Sequence, residues 1–315
     1  MIKIDEFLKD VKSVGIAGHV RPDGDCVGSC LSVYNYIVSY YPDVDCHVYL
    51  ETIPTIFKFL KNSDKIEEAK EIPESFDLFI CLDCRELKRL GKSQAYFAAA
   101  KKTLCIDHHL GNAKFADDEY IIPDDSSTCE LVFRTMDEKK ITKEIAECLY
   151  LGMVHDTGIF QYSCTTSETM KVAGVLMDKG IDFTRIVDET YNQKLYAQQL
   201  IMARALEKSK LYLNDKVIVS FITKEEMDEF GVLPRHLEGI VQQLRNTKGT
   251  EVAVFLYQTE DAGYKVSTRA TGDVDLAALA RKFGGGGHAK AAGFSMYENP
   301  KSCVRKIISE LEKVL

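Results

Sequence analysis

Thr103-Leu104-Cys105-Ile106-Asp107-His108-His109 is an apolar run that ends in an acid and two imidazoles. A run this short, bounded by polar residues, reads as a buried strand. The C-terminal end of such a strand is where an open α/β sheet places its ligands. Carboxylate and imidazole together suit a divalent transition metal. The alternative is a surface turn with two solvated histidines. Three other stretches shift the balance, because each delivers the same chemistry from an apolar strand or helix.

The first is Val14-Gly15-Ile16-Ala17-Gly18, a strand followed by the loop His19-Val20-Arg21-Pro22-Asp23-Gly24-Asp25 and a helix from Cys26 to Tyr40. Asp23 and Asp25 flank Gly24, so the loop can turn both carboxylates toward one point. The second is Asp77-Leu78-Phe79-Ile80-Cys81-Leu82-Asp83, a strand that ends in an acid. The third is the helix capped by Thr142, which ends near Met153-Val154-His155-Asp156. An aspartate late in a helix opposes the helix dipole, so Asp156 calls for a neighbouring cation.

Strands and helices alternate throughout this part. Helices are expected at 5–12, 93–101, 129–136, 166–179, 182–191 and 194–208, and further strands at 45–50 and 120–122. That pattern means a doubly wound parallel sheet. After about residue 210 it changes. Strands near 210–213 and 217–222 flank Asn214-Asp215, helices are expected at 224–230 and 236–245, and 251–257 pairs with 264–270 about a turn. A helix at 274–283 leads into Gly284-Gly285-Gly286-Gly287-His288, then a strand and a last helix at 300–314. We therefore expect an α/β protein with a first domain over 1–190, a helical linker over 191–209 and a smaller α/β domain with a mixed sheet over 210–315.

The glycine run reads as a ligand loop rather than a linker. Linkers mix glycine with serine between polar flanks, whereas here a helix precedes and His288-Ala289-Lys290-Ala291-Ala292 follows. Residues without Cβ let backbone amides approach a phosphate, and His288 and Lys290 add donors. Arg269, at a strand end, suits bidentate phosphate contact.

The chain has 315 residues, 45% hydrophobic and 28% charged, which is enough for a sizeable core in each of two domains. Its formal net charge of −8 argues against long duplex nucleic acid as the partner, since that interaction needs a basic face. Ten cysteines fall mostly within apolar runs. With no basic-then-apolar start at Met1-Ile2-Lys3 and no run of membrane-spanning length, they read as reduced core thiols in a cytoplasmic protein. Cys81-Leu82-Asp83-Cys84 is formally a C-x-x-C pair, but it lacks the helix start or second pair that redox or zinc chemistry needs.

His19-x3-Asp23-x-Asp25, Asp83, Asp107-His108-His109, Asp156 and, far downstream, Gly284-Gly285-Gly286-Gly287-His288 together resemble the DHH–DHHA1 phosphoesterases over nearly the whole chain. The subgroup most similar is the stand-alone oligoribonucleases that also act as phosphatases of 3′-phosphoadenosine 5′-phosphate (pAp). The resemblance implies two Mn²⁺ ions, with Mg²⁺ or Co²⁺ as substitutes. His19, Asp23 and Asp83 would hold one ion. Asp25, Asp83, His108 and Asp156 would hold the other, Asp83 bridging. His109 would lie near the scissile phosphate, with Asp107 orienting the histidines. Arg269, Gly285, Gly286, Gly287 and His288 would hold the nucleotide, and the active site would be the cleft between the domains. The expected substrates are short RNA oligonucleotides or small nucleotides, with no membrane partner; a homodimer is left open. Alternative activities on this scaffold are a linear or cyclic dinucleotide phosphodiesterase (pApA or cyclic di-AMP), a pyrophosphatase or exopolyphosphatase, and an inactive nucleotide-binding module. No G-x-S-x-G nucleophile pattern competes.

Overall fold

Alternate residues of the short apolar runs face opposite ways, and that determines how the first part of the chain is covered. A computed structural model describes residues 2–70, 75–123 and 125–315 and divides the chain into two compact units, Met1–Gln193 and Lys194–Leu315. The first unit runs α1 (Ile4–Phe7), β1 (Ser13–Ala17), α2 (Gly24–Tyr40), β2 (Asp45–Tyr49), β3 (Ile66–Glu67), β4 (Leu78–Leu82), α3 (Gln94–Ala99), β5 (Thr103–Asp107), β6 (Asp118–Ile121), α4 (Thr128–Thr135), α5 (Lys143–Asp156), α6 (Ser167–Asp178) and α7 (Phe183–Val187).

Its six strands are ordered β3-β2-β1-β4-β5-β6, and every pairing is parallel. Leu78, Ile80 and Leu82 of β4 join Val14, Ile16, Leu104 and Ile106 in a core shared with α2, α4 and α5. Phe79 and Cys81 point the other way, with Ala17, Cys105 and the α3 residues Tyr96 and Phe97. Both faces are therefore buried, which explains the near-continuous apolar strands. Strand order reverses between β1 and β4. The crevice at that switch point receives the C-terminal ends of β1, β4 and β5. All ten cysteines are free thiols, and Cys81 and Cys84 both pack in the second of these cores.

The second unit runs α8 (Tyr196–Glu207), β7 (Lys210–Tyr212), β8 (Val217–Ile222), α9 (Lys224–Glu229), α10 (Ile240–Arg245), β9 (Val252–Gln258), β10 (Tyr264–Ala270), α11 (Leu276–Lys282), β11 (Gly286–His288), β12 (Ala291–Met296) and α12 (Pro300–Leu311). Its sheet is ordered β11-β12-β10-β9-β8-β7 and is mixed: β8 and β9 run parallel, the other neighbours antiparallel. The segment read from sequence as a helical linker contains α8. That helix packs Ile201 and Ala205 against Ile218 and Ile222 of β8, and the Ser220 hydroxyl donates to the Ala205 carbonyl. It is thus part of the second unit. The helix expected over 236–245 starts only at Ile240, because Gly239 at φ +88° breaks the backbone just before it.

Two helices of the first unit come unusually close. A Cβ on Gly28 of α2 would lie 2.4 Å from the Cys148 carbonyl oxygen of α5. One on Gly152 of α5 would lie 2.2 Å from Cys129 Sγ and 2.7 Å from Asp25 Oδ1. Glycine at these two positions lets α2, α4 and α5 converge, and with them Asp25 and Asp156.

Candidate active site

His19 follows β1, Asp83 follows β4, and His108 and His109 follow β5, so adjacent strands of the parallel sheet deliver them to the same edge. Asp23 is the N-cap of α2 and accepts from the Cys26 amide at 3.1 Å. Asp25 was expected in a loop beside Asp23. It lies instead inside the first turn of α2, fully buried, because the helix already begins at Gly24. Asp156 is the last residue of α5, and His108 Nε2 stands 3.0 Å from its carboxylate, supplying the cation that the helix dipole calls for.

Each metal-competent histidine is aimed by its other nitrogen. His19 Nδ1 is 2.9 Å from the Val20 carbonyl and His108 Nδ1 is 2.9 Å from the Asp125 carbonyl. Donation from Nδ1–H to a carbonyl turns Nε2 toward the carboxylates. His19 Nε2 is 3.6 Å from Asp23 and 3.4 Å from Asp83 Oδ2. His108 Nε2 is 3.8 Å from Asp83 Oδ1 and 3.9 Å from Asp25. These four separations exceed the 2.7–2.9 Å of a charge-assisted hydrogen bond, roughly. They suit donors sharing one ion: two atoms each about 2.1 Å from it at a right angle are about 3 Å apart, and wider angles separate them further.

The electrostatics point the same way. Burial, then the charges of Asp83 and Asp156, push Asp25 well above the usual carboxylate range. Burial opposes the His19 imidazolium, but the facing carboxylates of Asp23 and Asp83 outweigh it and raise the pKa to about 12. For His108 burial is likewise outweighed, chiefly by Asp156 and Asp25, and the pKa rises to about 11. Among the described residues no lysine or arginine forms an ion pair with Asp23, Asp25, Asp83 or Asp156. The cluster therefore holds more carboxylate charge than its imidazoles balance, and a divalent cation fits it. Three sets of donors lie within 4.8 Å of one another: Asp25, His108 and Asp156; Asp83, His108 and His109; and His19, Cys26 and Asp83. Asp83, at φ +55°, belongs to two of them.

Asp107 does less than the sequence reading gave it. It orients only one histidine, accepting from His109 Nδ1 at 2.7 Å while Asn112 Nδ2 donates to its other oxygen at 2.6 Å. His108 is held by the Asp125 carbonyl instead. Burial works against the His109 imidazolium, but Asp107 more than compensates and raises its pKa.

Several participants escaped the sequence reading. The N-terminus of α4 holds Asp25 through the amides of Thr128, at 2.7 Å, and Cys129, at 2.9 Å. The Thr128 hydroxyl donates to Asp83 Oδ1 at 3.1 Å. Behind them the fully buried Glu130 accepts from Ser126, Thr169 and Arg134, and Arg134 also pairs with Asp125 at 2.6 Å. The signal is the run Ser126-Ser127-Thr128 just ahead of the helix expected at 129–136. Ser127 caps that helix. The helix N-terminus it creates is an anion site that the protein fills with its own aspartate.

In the second unit, Arg269 of β10 and His288 of β11 both pair with Ala291 of β12, so the three side chains share one face of the sheet. The glycine run is not the open loop expected. Gly286, Gly287 and His288 form the edge strand β11. Two of the glycines are explained by packing: a Cβ on Gly285 would lie 2.2 Å from the Gly293 carbonyl oxygen, and one on Gly287 2.5 Å from that of Ala291. Only Gly284 and Gly286 face open space. Lys290 turns back to the Gly272 carbonyl and the Asp273 carboxylate.

Residues 13–153 match the N-terminal domain of the DHH family and residues 214–315 match the DHHA1 domain. The chain belongs to the DHH–DHHA1 family. Among its relatives is the bifunctional oligoribonuclease and PAP phosphatase NrnA of Thermus thermophilus, 29% identical over 93% of this chain and 87% of that protein. The protein of the same name from Bacillus subtilis is 28% identical over 93% and 92%. A crystal structure of an exopolyphosphatase-related protein from Bacteroides fragilis is 30% identical, covers 99% of this chain and 96% of its own, and superposes with a TM-score of 0.90. No helix among the described residues is long and apolar enough to cross a membrane.

Proposed function

We propose that the chain is a divalent-metal-dependent hydrolase that cleaves phosphoester bonds of short oligoribonucleotides and of pAp. One observation carries the reading. Asp83 splits its carboxylate, Oδ2 facing His19 at 3.4 Å and Oδ1 facing His108 at 3.8 Å, as a ligand bridging two ions would. On this reading His19, Asp23 and Asp83 hold one Mn²⁺, and Asp25, Asp83, His108 and Asp156 hold the other. Ions held by these residues would activate a water and neutralise charge developing on the phosphoryl oxygens. His109, whose pKa Asp107 raises against the effect of burial, would donate to a phosphoryl or leaving oxygen. Thr128 and the α4 amides keep Asp83 and Asp25 in place through turnover. Arg269, His288 and the edge strand with Gly285, Gly286 and Gly287 bind the nucleotide. The substrate class follows from the NrnA relatives, and the preference for short strands from the net charge of −8.

The test is a side-by-side assay with Mn²⁺ on pAp, pApA, cyclic di-AMP, pyrophosphate, polyphosphate and an RNA series from dinucleotide to 24-mer. We expect pAp and the shortest RNAs to be hydrolysed, with kcat/KM falling beyond about five nucleotides as further phosphates meet excess carboxylate. Equal or rising efficiency toward the 24-mer defeats the short-substrate reading. Turnover confined to cyclic di-AMP or pApA assigns the dinucleotide phosphodiesterase alternative, and turnover confined to pyrophosphate or polyphosphate assigns the inorganic one.

A further inference from the structure

We infer that the Cys26 thiol is an additional donor to the first ion, beside His19, Asp23 and Asp83, and that it tunes this centre toward softer divalent ions. The inference rests on the reading that the cluster holds divalent ions, and goes beyond it by adding sulfur to a set of oxygen and imidazole ligands.

Cys26 lies one residue after Asp25 in the first turn of α2 and is fully buried. One donor atom from each of His19, Cys26 and Asp83 lies within 4.8 Å of the others, and all three residues are buried. Two features hold the sulfur there. The Cys26 amide is bound by Asp23, whose other carboxylate oxygen faces His19. The sulfur itself occupies the space left by the missing side chain of Gly18, where a Cβ would lie 2.3 Å from it, and stands 3.9 Å from the His19 carbonyl oxygen. Cys30, one turn further on, lines the same space below Gly18 but belongs to none of the donor sets among the described residues. It provides an internal control.

Coordination replaces the S–H bond by a sulfur–metal bond of about 2.3 Å for zinc, and the proton leaves to solvent. No oxidant or reductant takes part. Carboxylates and imidazoles alone suit Mn²⁺ or Mg²⁺, whereas a thiolate favours ions further along the series, Co²⁺ and Zn²⁺ among them.

Co²⁺ reports this directly, because thiolate-to-cobalt charge transfer absorbs in the near ultraviolet and oxygen or imidazole ligation does not produce that band. The purified full-length chain is titrated with Co²⁺, and absorption is recorded alongside bound cobalt by elemental analysis. We expect a band that grows to saturation with the first equivalent bound. Cys26→Ser should bind cobalt roughly tenfold more weakly and lack the band, while Cys30→Ser should retain it. Cobalt bound without the band, or a band undiminished in Cys26→Ser, overturns the role of Cys26 and leaves the divalent-ion reading standing. Failure of cobalt to bind at all overturns both. Should Cys26→Ser not fold, as judged by circular dichroism, the unsubstituted chain's spectrum decides alone.

Discussion

The donor cluster of the first unit and the Arg269–His288 face of the second are built on opposite plans. In the cluster nearly every functional atom has a second partner that fixes its position. Asp25 is held by two amides of α4, Asp83 by Thr128, His19 and His108 by carbonyls, and His109 by Asp107. On the second unit's sheet His288 is exposed on an edge strand, and Arg269, half-buried, donates from Nη1 to the Thr268 carbonyl. A centre that concentrates charge must be assembled before its ligand arrives, because buried carboxylates repel one another and gain nothing from mobility. On the proposed reading the second face grips a nucleotide, and such a surface can order its side chains on contact at modest cost.

Substitutions can break that contrast. The largest effect is expected at Asp83. Asp83→Ala removes the carboxylate that faces both histidines, and a loss of about 4 kcal/mol of transition-state stabilisation lowers kcat/KM by roughly a thousandfold. Circular dichroism should show the fold retained, while elemental analysis shows metal lost. Near-normal turnover with both ions still bound would remove Asp83 from the centre.

Gly152→Ala tests whether helix packing sets the ligand positions. Its Cβ would meet Cys129 Sγ at 2.2 Å and Asp25 Oδ1 at 2.7 Å. Overpacking of this kind costs about 1–3 kcal/mol. The expected result is a lowered Tm in thermal unfolding, together with weaker metal binding. Unchanged metal affinity at a lowered Tm would separate the packing from the site.

Thr128→Val keeps the shape and the backbone amide to Asp25 but deletes the hydrogen bond to Asp83. Calorimetric titration should show divalent-ion affinity lowered by roughly 10- to 100-fold with stability little changed. An unaltered isotherm would mean that Asp83 needs no support from α4.

The smallest effect belongs to the second unit. Arg269→Ala should raise KM for pAp by about tenfold while kcat and metal content stay as they were, since a pure binding contact is lost equally in ground and transition states. Loss of bound metal in this variant would contradict the separation of roles drawn here.

The alternation of strands and helices was legible because buried strands and amphipathic helices leave different periodicities, and five strands of each six-stranded sheet follow from runs visible in the chain, whereas Ile66–Glu67 and Gly286–His288 do not. The eight metal-competent or catalytic positions expected from His19 to Asp156 drew attention in the sequence because each stands at or beside the end of an apolar element. The helical linker over 191–209 was misjudged, since nothing local says that Ile201 and Ala205 face β8. The glycine run answers a packing demand that the sequence does not show. Gly285 and Gly287 are required by a neighbouring strand's backbone, and in sequence that demand looks the same as one made by a phosphate.

What the amino-acid sequence determined by itself was therefore the inventory: which residues bear the chemistry, on which elements, in what order. Which donor faces which was decided only by tertiary structure. Asp25 meets the amides of residues 103 and 104 positions away, and Thr128 reaches Asp83 across 45. Cys26 joined a donor set only once Gly18 had left room for its sulfur. Periodicity reports a residue's burial, a property of its own element. The partner of a buried polar atom depends on how separate elements pack, and no local pattern in the chain encodes that distance.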